Sequence, residues 1–241
     1  MIGLLNFGIL KARKLENQKF IELARSEWDI FKQIFAAIKP TNYYAVEVGY
    51  DGIFDAQVIQ DWQGLLIDQT GLPVFIPCKI ESVHAFVTAE NINEILKAYD
   101  VPPVIDLFAI DIDGNDFHVL RALTATEPRV IIAEYNASFG PELSLTIKYN
   151  PDFKRECSNA GGYHGASLVA FTKLLNARDY ALVAVESNGF NAFFVKRADC
   201  AGKLRELTAA EAWKPHSGRQ GTWQSQFVNI ENIENMEFEK I

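Results

Sequence analysis

The apolar residues of this chain fall into short continuous runs separated by stretches with helical spacing. Two of these runs, Ile105–Ile110 and Val130–Ala133, are almost entirely apolar. Continuous runs are typical of parallel strands that helices cover on both faces, whereas half-exposed strands alternate apolar and polar residues. Strands that alternate with helices indicate βαβ units. We therefore predict an α/β fold with a Rossmann-like, doubly wound, mainly parallel sheet.

The same pattern predicts the elements around these two strands. Further strands are predicted at Tyr44–Gly49, Leu65–Ile67, Ser82–Thr88, Tyr180–Glu186 and Ala192–Val195, and helices at about 17–38, 91–99, 117–123 and 167–175. The short Asn-Gly connection at 187–190 predicts that the last two strands form an antiparallel hairpin. Residues 137–162 show no steady period, which favours a functional loop.

Three regions follow from this division. Residues 1–40 are predicted to be an N-terminal helical extension, 41–200 the catalytic-type domain, and 201–241 a C-terminal extension that forms a helix or a partner contact.

Bulk properties exclude several classes of protein. The net charge of −8 argues against a nucleic-acid binder, because phosphate neutralisation needs a basic surface. No apolar run reaches the ~20 residues of a transmembrane helix. The three cysteines are widely spaced and form no disulfide framework, which predicts a cytoplasmic protein. The sequence leaves a homo-oligomer open.

Polar residues after the first two predicted strands suggest a nucleoside site. In open α/β sheets, ligands bind beyond the carboxyl ends of the strands. Glu47, Gly49 and Asp51 follow the first strand, and Asp68 comes about 20 residues later, where an acidic side chain can bind ribose hydroxyls. This spacing suits dinucleotides and nucleoside-bearing methyl donors alike. The charge of Asp51 disfavours a pyrophosphate and favours S-adenosylmethionine, whose sulfonium and amino groups are cationic.

An acidic cluster after the next strand is the second candidate site. Asp111, Asp113 and Asp116 lie within one turn and repel each other unless a cation or a basic group separates them. Glu134 and Asn136 end the neighbouring strand. Asp111, Glu134 and Asn136 are predicted to hold Mg²⁺ or Ca²⁺, which prefer oxygen ligands. Two alternatives are that the cluster orients a substrate hydroxyl, or that Asp113 or Asp116 caps the following helix.

His164 is the candidate general base. It lies in Gly161-Gly-Tyr-His-Gly165, at the end of the irregular segment, from which it could reach the acidic cluster. The alternative is an ordinary surface histidine.

Several of these segments together resemble the FkbM-type S-adenosylmethionine-dependent methyltransferases. The resemblance runs from about Tyr44 to Lys196 and is carried by Glu47-x-Gly49, Gly64-Leu-Leu-Ile-Asp68, Ile110-Asp-Ile-Asp-Gly-Asn-Asp116, Glu134 and Asn191-Ala-Phe-Phe-Val195. Where the family commonly has Ile-Asp-x-Glu-Gly-x-Glu, this chain has Asp in place of Glu.

The resemblance implies a class I methyltransferase-like fold and O-methylation of a sugar or another small-molecule hydroxyl. It places Glu47, Gly49 and Asp51 along the methionine part of S-adenosylmethionine and Asp68 at its ribose. Asp111, Asp113 and His164 would then act on the acceptor, with Mg²⁺ as a candidate cofactor.

Two other functions are compatible with the residues. Asp111-Ile-Asp113-Gly also matches the nucleophile motif of haloacid-dehalogenase-type phosphatases, although that motif belongs on a first strand. A non-catalytic methyltransferase fold that serves as a binding or assembly module is the other, favoured by the aromatic residues of the tail.

Overall fold

The computed structural model describes residues 13–15, 18–20, 26–50, 61–70, 79–155, 162–219, 221–222 and 236–241. The described strands are β1 (Arg13–Leu15), β2 (Gln18–Phe20), β3 (Tyr44–Val48), β4 (Gln63–Asp68), β5 (Ile80–His84), β6 (Val104–Ile110), β7 (Glu127–Glu134), β8 (Leu145–Ile147), β9 (Tyr180–Val185), β10 (Asn191–Lys196) and β11 (Phe238–Lys240). The described helices are α1 (Glu27–Ile38), α2 (Ile92–Ala98), α3 (Asp116–Ala122), α4 (Leu168–Asn176), α5 (Arg197–Cys200) and α6 (Ala209–Ala212).

Seven strands form the central sheet, in the order β5-β4-β3-β6-β7-β10-β9. The strands from β3 to β7 pair in parallel. Strand β10 is antiparallel to both of its neighbours, so the edge strand β9 points in the same direction as the parallel strands. The predicted mainly parallel sheet and its C-terminal hairpin are confirmed. The chain order reverses between β3 and β6, which creates the crevice where ligands of such sheets bind.

Helices cover both faces of the sheet, as the continuous apolar runs predict. Phe108 in the middle of β6 packs with α3 and α4 on one face. Its neighbour Leu107 packs with α1 on the other face. Alternate residues of β6 are therefore buried on opposite sides, and the strand must be apolar along almost its whole length.

The predicted helix over 17–38 is wrong in its first part. Residues Gln18–Phe20 form strand β2, which pairs with β1, and α1 begins only at Glu27. The side chain of Ser26 accepts a hydrogen bond from the amide of Asp29 and so caps the helix. Helical spacing alone could not locate this start. Among the described helices, none is long and apolar enough to cross a membrane.

The segment 137–162 has more regular structure than the sequence predicted. A 3₁₀ turn spans Ala137–Phe139, and β8 pairs with the C-terminal strand β11. Strand β11 is therefore hydrogen-bonded to this segment. The Asn-Ile-Glu-Asn copies and the tryptophan at 223 lie outside the described residues.

Candidate active site

A pocket of about 340 Å³ opens at the carboxyl ends of β3, β4 and β6. It lies at the point where the strand order reverses. Its walls come from the ends of these strands, from the chain after β5 and from the segment after β8: Gly49, Tyr50, Ile67, Asp68, Gln69, Thr70, Ala85, Phe86, Val87, Asp111, Ile112, Asp113, Asn115 and Phe153.

Gly49 lines the pocket directly after β3, where the backbone packs closely against Asp111. Its φ is +81°, and a Cβ atom at this position would lie 1.6 Å from the carbonyl oxygen of Asp111. The two strand ends are joined by a hydrogen bond from the amide of Asp111 to the carbonyl of Val48, at 2.9 Å. Both the positive φ and the close approach require glycine.

Asp68 lies on the pocket wall at the end of β4. One carboxylate oxygen accepts from the amide of Tyr50 at 2.9 Å, and the other accepts from the amide of Thr70 at 2.6 Å. These bonds hold the side chain against the loops that follow β3 and β4. Its position, beside the pocket at the switch point, suits contact with ribose hydroxyls.

The other two residues predicted for the donor are placed differently. Glu47 is buried and lines a narrow adjoining cavity together with Glu27 and Asn191, rather than the main pocket. Asp51 lies outside the described residues.

Three carboxylates meet beside the pocket. Ligand oxygens of Asp111, Asp113 and Glu134 all lie within 4.8 Å of one another. The pKa of Glu134 is raised well above its usual value, first by burial and then by the charge of Asp111. A set of three carboxylates at this spacing suits a hard divalent cation such as Mg²⁺, whose charge would relieve the repulsion.

Asp116 has a structural role instead. It is fully buried and accepts hydrogen bonds from the amides of Ile112 at 2.7 Å and Gly114 at 2.9 Å, so it closes the turn that carries Asp111 and Asp113. Burial raises the pKa of this carboxyl. The predicted capping of α3 by an aspartate is wrong, because Asn115 occupies the N-cap position and makes no capping bond with its side chain.

His164 lies next to Glu134 and is 2% exposed. Its Nε2 is 3.9 Å from Oε1 of Glu134. Asn136 holds this segment in place, since its Nδ2 donates to the carbonyl of His164 at 3.0 Å. His164 is thus a buried residue next to Glu134, rather than the surface histidine of the alternative interpretation.

Two arginines complete the surroundings, and sequence reasoning missed both. Arg155 forms an ion pair with Asp113. Arg219 donates to Oδ1 of Asn136 at 2.9 Å and also bonds the hydroxyl of Ser138. Arg219 lies in the C-terminal tail, 83 positions from Asn136, so no local spacing pattern could connect them.

The position of Asp111 argues against the phosphatase interpretation. It follows β6, and β3, β4 and β5 of the same sheet precede it in the chain, whereas the phosphatase nucleophile belongs on a first strand.

The strand order, with its single antiparallel strand next to the edge, together with a pocket at the switch point, defines a class I methyltransferase-like fold. Residues 38–182 match the family model of the methyltransferase FkbM domain. The chain therefore belongs to the FkbM methyltransferase family, and the family resemblance seen in its motifs is confirmed.

Solved structures give weaker likenesses. The MycE methyltransferase of the mycinamycin biosynthetic pathway, in complex with Mg and SAH, is 17% identical with a TM-score of 0.45; the match covers 73% of this chain and 51% of that one. An O-methyltransferase family protein from Burkholderia thailandensis is 10% identical with a TM-score of 0.37, covering 69% and 55%. This chain thus spans about half the length of these proteins. No curated protein matched the sequence.

Proposed function

We propose that this chain transfers the methyl group of S-adenosylmethionine to a hydroxyl oxygen of a small molecule, a sugar hydroxyl above all, with Mg²⁺ as cofactor. The observation that carries this proposal is that the pocket and the carboxylate cluster are contiguous, because Asp111 and Asp113 belong to both. A donor in the pocket would therefore have its reacting end beside the residues that bind the acceptor.

The donor side uses the ends of β3 and β4. Gly49 lets the methionine part approach the backbone, Glu47 lies in the adjoining cavity, and Asp68 accepts from the ribose hydroxyls. The carboxylate of Asp68 is already oriented by two backbone amides, so little conformational freedom is lost when it binds a ligand.

The acceptor side uses the carboxylate cluster. Asp111, Asp113 and Glu134 would hold Mg²⁺, which lowers the pKa of a hydroxyl group bound to it. Asn136, which the sequence placed among the ligands, has its Oδ1 bonded to Arg219, so we assign it to supporting the His164 segment.

His164 is the residue that we assign as general base. With three carboxylates committed to the cation, the imidazole beside Glu134 is left to take the proton of the acceptor hydroxyl as the methyl group is transferred. Alignment of the acceptor oxygen with the donor's methyl carbon supplies most of the acceleration in such reactions.

Cys200 takes no part in this chemistry. It is a free, buried thiol, and burial raises its pKa to about 12. The reactive thiolate is therefore suppressed. A free thiol is in keeping with the cytoplasmic location that we propose.

The test is release of S-adenosylhomocysteine from S-adenosylmethionine in the presence of a panel of glycosides and polyhydroxylated small molecules, with Mg²⁺ or with EDTA. We expect turnover with at least one acceptor, loss of it in EDTA, and a reduction of about 100-fold or more in Asp111→Asn and in His164→Gln. Asp61→Asn is the matched control. Asp61 is exposed and precedes the first residue of β4, whereas the pocket lies at the other end of that strand.

The outcome against the proposal is donor binding without turnover of any acceptor, which would favour the non-catalytic binding module. Turnover that survives EDTA would remove the Mg²⁺ from the mechanism and leave methyl transfer in place.

A further inference from the structure

Arg219 is a partly buried cation in the C-terminal extension. Its guanidinium donates to Oδ1 of Asn136 at 2.9 Å and to the hydroxyl of Ser138. Among the described residues it forms no ion pair, in contrast to Arg129, which pairs with two aspartates. Because a charge taken out of water without an opposite charge is costly, stability alone does not account for Arg219. Its contacts are instead with two polar side chains just after β7.

The chain before Arg219 is held along the carboxyl end of β7. The hydroxyl of Tyr135 donates to the carbonyl of Lys214 at 2.7 Å. The amide of Ser217 donates to the carbonyl of Asn188, in the turn between β9 and β10, at 2.8 Å. These bonds on two sides set the place from which the guanidinium reaches the residues after β7.

Arg219 fixes the direction in which the amide of Asn136 points. The Oδ1 atom of Asn136 accepts from the guanidinium and also from the amide of Ser138 at 3.1 Å. A guanidinium can only donate, so it must face the oxygen of the amide and not its NH₂ group. The Nδ2 atom is then turned to the other side, where it donates to the carbonyls of Gly162 at 2.6 Å and His164 at 3.0 Å.

This chain of hydrogen bonds ends at the candidate general base. The Nε2 atom of His164 lies 3.9 Å from Oε1 of Glu134, and the backbone that carries the imidazole is the one that Asn136 holds. Burial lowers the pKa of Arg219 and the charge of Glu134 acts in the opposite direction, so the guanidinium lies within electrostatic range of the carboxylate cluster. A shift of about 1 Å in a catalytic group can cost about 100-fold in rate.

We propose that Arg219 is a positioning residue for methyl transfer, which acts through the amide of Asn136 to keep the imidazole of His164 beside Glu134. The inference rests on the proposed function, in which His164 is the general base. It makes the C-terminal extension a part of the active site, although Arg219 does not line the donor pocket.

The first test is a double-mutant cycle between Arg219 and Asn136, read as release of S-adenosylhomocysteine with the best acceptor of the glycoside panel. Arg219→Met removes the guanidinium and keeps the apolar stem, and Arg219→Ala removes both. In each, kcat should fall about 10- to 100-fold, while the KM for S-adenosylmethionine changes by less than about twofold.

The cycle separates positioning from a general loss of structure. In Asn136→Ala the guanidinium has no route to His164, so adding Arg219→Met to this variant should lower kcat no further. Two independent effects would multiply instead.

The second test follows His164 without turnover, by NMR of protein that carries isotope-labelled histidine. The imidazole signal of His164 is assigned by its absence from His164→Gln. This signal should move in Arg219→Met and in Asn136→Ala, and the double variant should give the spectrum of Asn136→Ala.

Arg178→Ala is the matched control. Arg178 is also partly buried, and it donates to the carbonyls of Leu120 at 2.8 Å and Leu123 at 3.1 Å, at the carboxyl end of α3. Its loss removes an arginine of comparable burial without touching Asn136, so kcat and the His164 signal should both equal those of wild type.

An unchanged kcat or an unchanged His164 signal in the Arg219 variants overturns this inference while the proposed function stands. Losses of kcat that multiply in the double variant overturn it as well. A wild type that turns over no acceptor overturns the proposed function and, with it, the role of Arg219 in methyl transfer.

Discussion

Gly49 lies directly after β3, at a φ of +81°, and a side chain there would collide with the backbone of Asp111. The collision is with a carbonyl group that cannot move without displacing the carboxylate cluster. The glycine is therefore required by the site as well as by the turn.

We expect Gly49→Ala to lower the free energy of unfolding by about 1–3 kcal/mol more than Gly202→Ala. Gly202 also has a positive φ, +70°, but a Cβ atom there has no neighbour within 4 Å. The control thus carries the backbone strain without the collision. Urea denaturation of both variants measures the difference, and equal losses would contradict the role of the close approach.

Under the proposed function, the stability of the cluster around Glu134 depends on a bound cation. Burial and the charge of Asp111 raise its pKa, which means that the ionised cluster without metal is destabilised. We expect EDTA to lower the melting temperature of the wild type relative to Mg²⁺, because a bound ion stabilises the folded state.

The melting temperature of Glu134→Gln should depend less on Mg²⁺ than that of wild type. It removes one of the repelling charges, so in EDTA it should melt no lower than wild type, while Mg²⁺ should add little. Differential scanning calorimetry in both buffers makes the comparison. A variant that gains as much from Mg²⁺ as wild type would exclude Glu134 as a ligand.

Among the secondary-structure elements, β8 and β11 are two that the sequence did not predict. Each has three residues, and they pair across a long stretch of chain, with Phe238 opposite Ile147. Strands this short give no periodic signal. The long parallel strands were predictable because burial on both faces demands continuous apolar runs, and the hairpin of β9 and β10 because of its Asn-Gly turn.

Removal of residues 236–241 should remove the hydrogen bonds that β8 makes with β11 and keep those that it makes with the chain near Gly165. The amide of Lys148 donates to the carbonyl of Glu237 at 3.0 Å, whereas the amide of Ile147 donates to Gly165 at 3.1 Å. In the truncated chain, hydrogen exchange should accelerate at Lys148 and remain slow at Ile147. Loss of protection at both amides, or at neither, would contradict this local role of β11.

Across the whole molecule, a buried ion pair between Asp106 and Arg129 links the chain after α1 to α5. Asp106, at the start of β6, accepts from Arg129 at 2.8 Å and from the backbone amides of 41–43. Arg129 also donates to Asp199 of α5 at 2.8 Å and to the carbonyl of Lys39 at 2.7 Å, just after α1. The sequence shows Asp106 as one polar residue in an apolar strand, with no sign of these partners.

Asp106→Asn should cost about 3–5 kcal/mol of stability near neutral pH, because it removes the buried carboxylate from Arg129 and leaves this guanidinium paired with the more exposed Asp199. Burial alone would raise the pKa of Asp106, but Arg129 and the three amides lower it below the usual value. The stabilisation that Asp106 provides is therefore fully present above the usual aspartate pKa. It is lost as the pH falls through the lower pKa that Asp106 has in the folded state. The difference between wild type and variant should be constant above about pH 6 and shrink below about pH 4.

The pH series of unfolding free energies checks both the size and the sign, with the exposed Asp61→Asn as control. A difference that grows on acidification would contradict the assignment.

The proposed activity requires that the pocket at the ends of β3, β4 and β6 is the donor site. Titration of S-adenosylmethionine into the wild-type protein, in Mg²⁺ and followed by calorimetry, tests this most directly. We expect saturable binding at one site per chain, weakened about tenfold in Asp68→Asn, which lines that pocket, and unchanged in Asp61→Asn. The absence of binding at millimolar donor, or binding that Asp68→Asn leaves intact, would contradict it.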